Sequence, residues 1–380
     1  MTDSLLRQHL HRFHLEHLGL TLLLALLCAV LSLSGALGSL DRRLYDTLAT
    51  ALPAEPEPDI LIVAIDDFSL RQLGRWPWDR ALHARLISRL KEQGAAAVIY
   101  DVMLAEPDDQ RPESDQALAE AIADHGRVYL PVHVEQLRGG QLVEGLPWRQ
   151  FAEAAHRLGH VDLVRDNDGV VRSLWLRSGV GQAFWPHITL ALLEDEAPLL
   201  AQQFQRRERG QSGQRVNVRE YPQRIPFSRM DFPRVSAADV VDGRVPAQLL
   251  AGRTVLVGGT ADGLGDLFRT PLGDLAMPGV EIHARVLDAL LQQRMISDAG
   301  ALPSLLLSLL IALIAPLALP FFRPRWSLLL LATLMLIGLL LSAVLLRAQL
   351  WWSPAAALLT IAVAGPLWTW RRLEYSLDYL

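Results

Sequence analysis

The residues best suited to chemistry in this 380-residue sequence stand where apolar runs end. Asp66 and Asp67 follow Asp59-Ile-Leu-Ile-Val-Ala-Ile65, Asp101 follows Ala95 to Tyr100, and Asp262 and Asp266 follow Thr254 to Gly259. Asp66, Asp67 and Asp101 are expected at the carboxyl ends of neighbouring parallel strands, with Asp262 and Asp266 converging there. Such carboxylates suit a hard divalent cation, Mg²⁺ or Ca²⁺, held by the first three. Aspartate at a strand end also caps helices and turns by accepting backbone N–H groups. Both readings stand on the sequence alone. Glu281 and His283 follow Pro278-Gly279 at the start of a helical pattern. They are either ligand or metal contacts, or a capping carboxylate and a half-buried histidine.

The loop Gly258-Gly-Thr-Ala-Asp-Gly-Leu-Gly265, with Thr260 inside it, can present backbone N–H groups to a ligand. It matches neither GxxxxGK[ST] nor GxGxxG. Its aspartates repel phosphate, so a cation or a neutral polar ligand fits it better. Trp76-Pro77-Trp78 is an aromatic bend, either a pocket wall or packing against a sheet. Asp166-Asn167-Asp168-Gly169 lacks the later ligands of a calcium loop and reads as a turn. His9, His11, His14 and His17 crowd a short leader, where positive flanking of a membrane segment is the simpler account than a metal. Neither GxSxG nor HExxH occurs. Lys91 is the only lysine and falls in the last turn of a helical segment, which removes receiver-type phosphorylation.

The elements that must position these residues alternate. Strand 59–65, helix 80–93 closed by Gly94, strand 95–100, helix 114–125 and strand 128–134 predict parallel strands with right-handed crossovers. Segments 160–164 and 170–176 flank the turn at Gly169 as a hairpin. A helix over 186–196, an exposed loop over 202–215 and a strand pair over 215–228 follow. Strand 252–259 and a helix over 280–293 return to the first pattern and share its sheet. The fold class is α/β, a mixed, mainly parallel sheet with an inserted antiparallel hairpin. Its carboxyl-end face is where ligands bind in open α/β sheets.

Hydrophobic residues make up 51% of the chain and charged ones only 20%, and the apolar residues concentrate in 18–40 and 301–370. Segments 18–40, 301–321, 326–346 and 351–370 are each long enough to cross a bilayer core of about 30 Å. The first is longer than a signal-peptide core, so an uncleaved anchor is expected after the leader 1–17. Arg323 and Arg325 between two segments, and Arg371-Arg372 after the last, place both termini in the cytoplasm and residues 41–300 outside. The net charge of -5 gives no reason to expect a nucleic-acid partner. The single cysteine, Cys28, excludes an intramolecular disulfide.

Several segments together resemble the CHASE-type extracellular sensor family, class two. They are Asp59 to Asp67, Leu73-Gly-Arg-Trp-Pro-Trp78, Gly159-His-Val, Asp168-Gly-Val-Val-Arg172, Val257-Gly-Gly-Thr-Ala261 with Gly265-Asp266, and Pro278-Gly-Val-Glu-Ile-His-Ala284. The resemblance covers roughly residues 41–300 and extends to the three trailing membrane helices. It implies a sensor in a bacterial inner membrane that feeds a cytoplasmic histidine kinase or nucleotide cyclase. The sequence departs from the family in carrying no output domain up to Leu380. An effector is therefore expected either fused beyond that residue or on a separate protein.

The expected function is a transmembrane input module, not an enzyme, sensing an unidentified extracytoplasmic ligand. Candidate contacts are Asp66, Asp67, Trp76, Asp101, Thr260, Asp262, Asp266, Glu281 and His283. A divalent cation is the one cofactor the carboxylates would suit. Residues 371–380, with Leu373, Leu377 and Leu380 at helical spacing, read as the start of a signalling helix, and a homodimer is expected. The alternatives are a membrane protein recruiting a separate effector and a metal-dependent extracytoplasmic enzyme.

Overall fold

A computed structural model describes residues 2–136, 140–206, 216–264 and 267–377. Asp266, residues 207–215 of the expected loop and the last three residues of the expected signalling helix lie outside the described residues, as do the side chains of His9, His11 and His14. The chain forms two compact units, one from Thr50–Ile296 and the other from Met1–Ala49 with Ser297–Leu380.

The membrane-type unit opens with α1 (Thr2–Ser34) and α2 (Gly38–Thr50). The apolar run continues to Leu40, but the helix breaks at Gly35, whose φ of 66° suits glycine, and restarts as α2 with Asp41 in its first turn.

The Thr50–Ile296 unit is built on a parallel sheet. In chain order its first half contains β1 (Ile60–Ile65), α3 (Asp67–Leu73), α4 (Arg80–Glu92), β2 (Ala97–Asp101), α5 (Pro112–His125), β3 (Val128–Gln136), β4 (Leu142–Gly145), α6 (Arg149–Ala154) and β5 (Arg157–His160). Then come β6 (Val164–Arg165), β7 (Val171–Val180), β8 (Trp185–Pro186), α7 (Ile188–Glu196), α8 (Pro198–Ala201), β9 (Asn217–Arg224), β10 (Arg234–Ser236) and α9 (Ala237–Val241). β11 (Thr254–Gly259), the hairpin β12 (Leu267–Thr270) and β13 (Gly273–Pro278), and α10 (Gly279–Leu291) complete it.

The strand order is β10-β1-β11-β2-β3, with β5 parallel and β4 antiparallel along successive stretches of β3. Every side chain of β1 is buried, because helices cover both faces of a parallel sheet and dictate a continuous apolar run. Leu61, Val63, Val98 and Val257 pack on one face against Leu86 and Leu90 of α4 and Leu118 and Ile122 of α5. Ile60, Ile62, Ile99 and Leu256 pack on the other against Ile188 and Leu192 of α7 and Val280 and Leu287 of α10.

The second sheet is antiparallel, β6-β7-β8 with β9 on β7. Its Val171, Leu174 and Leu176 meet Leu190 of α7 and Ile282 and Val286 of α10. The two helices thus lie between the sheets, which explains why α10 is apolar around most of its circumference. Two glycines permit this closeness. A Cβ on Gly159 would sit 2.6 Å from Ile188 Cα, and one on Gly258 would sit 2.6 Å from Val280 Cβ.

Three expectations are corrected. β11 lies between β1 and β2, so Asp66 and Asp101 do not end neighbouring strands. His160 ends β5 in the parallel sheet, and only Val164 and Arg165 form the hairpin arm. Residues 215–228 supply the single strand β9, paired along β7, in place of a strand pair. The turn 166–169 is held by Arg172, which donates to Asp166 at 2.7 Å and Asp168 at 2.9 Å.

The membrane-type unit resumes with β14 (Ser297–Asp298), α11 (Ala301–Ala318), α12 (Pro324–Arg347), β15 (Leu350–Trp351) and α13 (Ala355–Leu377). Leu15–Ser34, Ala301–Phe321 and Pro324–Arg347 are long and apolar enough to cross a membrane. α13 is not among these candidate spans. It starts four residues after Trp351, which belongs to β15, so its first 18 residues take in Arg371 and Arg372.

The helices of this unit pack through Leu24, Ile311, Leu334 and Ile361, with further contacts at two ends. At one, Arg371 of α13 pairs with Glu16 of α1 at 2.5 Å, and Arg372 donates to Phe322 O beyond α11 at 2.6 Å. At the other, Asp41 of α2 accepts from Ala355 N at 3.0 Å, Tyr45 meets Trp351 edge-to-face, and β14 pairs with β15. α1, α11, α12 and α13 each run from one end to the other.

Candidate functional site

The parallel strands stop along one edge, and the chain leaving them opens a cleft of about 760 Å³. Its floor is Ile65 from β1, Gly259 from β11, and Asp101 and Val102 from the end of β2. His133 and Val134 of β3 and Asp162 after β5 form one side. Gly279, Val280 and His283 of α10 close the back, while Arg165 of β6 and Arg219 of β9 reach in from the antiparallel sheet. Right-handed crossovers put all these carboxyl ends on one edge, the place where open α/β sheets bind ligands.

Of the residues expected from sequence, the cleft gathers Trp76, Asp101 and His283. His283 Nε2 lies 3.8 Å from Asp101 Oδ2. Trp76 stands edge-to-face against Trp78 at 5.4 Å and His83 at 5.5 Å. Beneath it, His83 Nδ1 and Tyr100 OH share a 2.5 Å hydrogen bond. Burial lowers His83 to about 4, with Arg80 acting in the same direction.

The other expected residues are placed differently. Asp66 caps α3, accepting from Ser69 N at 2.8 Å, Ser69 Oγ at 2.7 Å and Ser236 Oγ at 2.8 Å. Burial alone would raise its carboxyl, but these hydrogen bonds outweigh it and hold the group below the usual carboxylate range. Asp67 is exposed in the first turn of α3, and Asp262 is exposed in the loop after β11. Thr260 is half-buried and donates its N–H to Ile65 O at 3.0 Å. Glu281 pairs with Arg234 at 2.9 Å and lies 3.6 Å from the buried Arg285. Among the described residues no three His, Cys, Asp or Glu side chains come together in a way that could hold a metal ion, so Asp66, Asp67 and Asp101 do not form one site.

The sequence model for the CHASE2 domain matches residues 21–320. The chain belongs to the CHASE2 domain family. That family comprises extracellular sensor domains. No curated protein and no solved structure matches the chain.

Four residues of the CHASE2 cleft escaped sequence reasoning: His133, Asp162, Arg165 and Arg219. His133 and Asp162 come from β3 and the chain just after β5 in the parallel sheet, whereas Arg165 and Arg219 arrive only because β6 and β9 pair with β7, which no local pattern records. Behind the cleft the CHASE2 domain holds a file of histidines. The ring of His187 lies 5.1 Å from His283, and that of His160 lies 5.2 Å from His187. His160 Nδ1 accepts from Asp162 N at 3.3 Å, and His187 Nδ1 shares a 2.7 Å hydrogen bond with Thr189 Oγ1. Burial, assisted by the neighbouring His283, lowers His160 to about 3 and His187 well below its ordinary value. The Gly159-His160-Val motif is where sequence could have flagged this file.

Proposed function

We propose that the chain is the input module of a transmembrane sensor and that its ligand binds in the strand-end cleft. One observation carries this reading. A CHASE2 domain, joined to membrane-type helices by just two chain crossings at 49–50 and 296–297, presents a roomy, mixed-charge cleft at the carboxyl edge of its parallel sheet. The domain lies outside a bacterial inner membrane, and α13 is a fourth span. In support, α13 runs between the same two ends as the three apolar helices, and Arg371 meets Glu16 and Arg372 meets Phe322 O at one of them. Arginines cluster at that end, which positive-inside logic makes cytoplasmic.

In this reading α13 carries the signal towards a kinase or cyclase, fused or separate, working as a dimer. The continuation of α13 past Arg372 to Leu377 favours a helix built to engage such an effector. The test is a diguanylate cyclase reporter fused after Leu380. Asp101→Ala and Arg219→Ala are expected to shift its output; output indifferent to both changes and to deletion of residues 59–295 would sink the reading. Topology is tested separately in a Cys28→Ser background. Asp262→Cys should react with an impermeant maleimide in intact spheroplasts, and Arg325→Cys only after permeabilisation.

A further inference from the structure

The cleft's own charges indicate what it takes. Asp162 is half-buried in the cleft wall, and burial pushes its carboxyl up, opposed by Val134 N–H and by the charges of Arg219 and His133. Its contacts are long: Val134 N at 3.4 Å and Ser178 Oγ at 3.4 Å. A carboxylate partly withdrawn from water normally gains close donors or an ion pair in compensation, and Asp162 has neither among the described residues. The exposed Arg219 lines the same cleft and acts on it through its charge, yet among the described residues no ion pair joins the two, and the guanidinium has no other carboxylate partner. Arg165 lies over the Phe268 ring at 4.6 Å and, among the described residues, likewise has no carboxylate on it. An acid and a base thus share the cleft without touching.

The space between them is shaped for a particular kind of molecule. Trp76, Met103, Leu264, Phe268 and Val280 supply apolar wall. α10, a 13-residue helix with no side-chain cap on its first N–H groups, begins at the cleft with Gly279 and Val280. The volume falls in the range of about 300–1,000 Å³ typical of small-molecule sites. A metal ion would leave the guanidiniums unmatched, and a dicarboxylate would crowd Asp101 and Asp162. An α-amino acid carries its ammonium and carboxylate side by side, the spacing that an opposed but unbridged acid and base can grip.

We propose that the cleft binds an α-amino acid with an apolar side chain. Its ammonium group is taken by Asp162, its carboxylate by Arg219 with Arg165, and its side chain lies against Trp76 and Phe268. This rests on the cleft being the sensory site and names the ligand class for it. The test is calorimetric titration of the full chain in nanodiscs with leucine, valine, methionine and phenylalanine. Isoamylamine, N-acetylleucine, succinate and MgCl₂ are titrated in parallel.

At least one amino acid should bind saturably, and its amine and N-acetyl analogues should bind at least about tenfold more weakly. Asp162→Asn and Arg219→Gln should each lose about tenfold or more for the amino acid, while the exposed Glu113→Gln should not. Asp162→Asn keeps its shape and Arg219 is exposed, so both variants are expected to fold; a preserved thermal unfolding midpoint verifies it. No amino-acid binding up to about 10 mM, or equal binding of the truncated analogues, overturns the proposal. Succinate or Mg²⁺ binding instead, and lost on Asp101→Ala or Arg219→Gln, overturns the ligand class while leaving the cleft as the sensory site. Amino-acid binding indifferent to every cleft variant removes the site itself.

Discussion

Lowering the pH from 7 to 5 tests whether the buried histidines sit in the folded chain as neutral rings. His83 and His160 have folded pKa values of about 4 and about 3, and His187 lies well below its ordinary 6.5, in each case chiefly through burial. In the unfolded chain all three regain about 6.5. Between pH 6.5 and about 4 the unfolded state therefore binds more protons than the folded one, and stability falls as the pH falls. At pH 5 His83 and His160 each sit 1.5 units below the unfolded value, worth about 2 kcal/mol apiece or about 4 kcal/mol together, and His187 adds to the loss in the same direction. That is a large share of the stability of an ordinary domain, about 5–15 kcal/mol. Asp66 does not interfere, since its stabilisation is lost only below 3.8. The assay is urea unfolding of the full chain in nanodiscs at pH 7, 6 and 5, followed by tryptophan fluorescence, with Trp76 and Trp78 beside His83. The urea midpoint should drop steeply, and His160→Gln should make that drop shallower. A midpoint unchanged from pH 7 to pH 5 would refute the neutral, buried file.

Gly159→Ala would drive a Cβ into the backbone of Ile188, which cannot give way as a side-chain tip can; a loss of about 3 kcal/mol in urea unfolding is expected. Gly258→Ala meets the side chain of Val280 instead, so its smaller loss should be largely restored by adding Val280→Ala, a double-mutant comparison that fails if the two effects simply add. Asp66→Ala removes the cap of α3 together with the bonds to Ser69 and Ser236, with an expected cost of about 1–2 kcal/mol and no loss of cleft binding measured by calorimetry.

The parallel core was legible because a strand buried on both faces can afford no polar residue: Ile60 to Ile65 and Thr254 to Gly259 announce themselves. Strand order was not, since parallel strands share one pattern and nothing in Thr254–Gly259 says that it parts β1 from β2. Asp66 was ambiguous as long as its neighbours were unknown. Ser69, three residues on, is local, but Ser236 arrives from 170 residues away. Trp76, Asp101 and His283 were found because strand ends and helix starts border the cleft directly. Arg219 was missed because β9 reaches the cleft only through its pairing with β7, and Asp162 because 160–164 read as a hairpin arm while Arg157–His160 is a strand of the parallel sheet. The fourth span was expected to begin at Trp351, where a two-residue strand pairing holds the chain instead.

The place of β1 sets a timetable. Both of its partners, β10 and β11, come late in the chain, and Ile60 finds Thr254 across about 190 residues. At synthesis rates of about 5–20 residues per second, those partners follow β1 by about 10–40 s. Through that interval an entirely apolar strand waits with both edges bare, an invitation to mispairing. The nascent domain therefore needs shelter, from the export machinery or from chaperones at its exit, until nearly all of residues 60–259 have emerged.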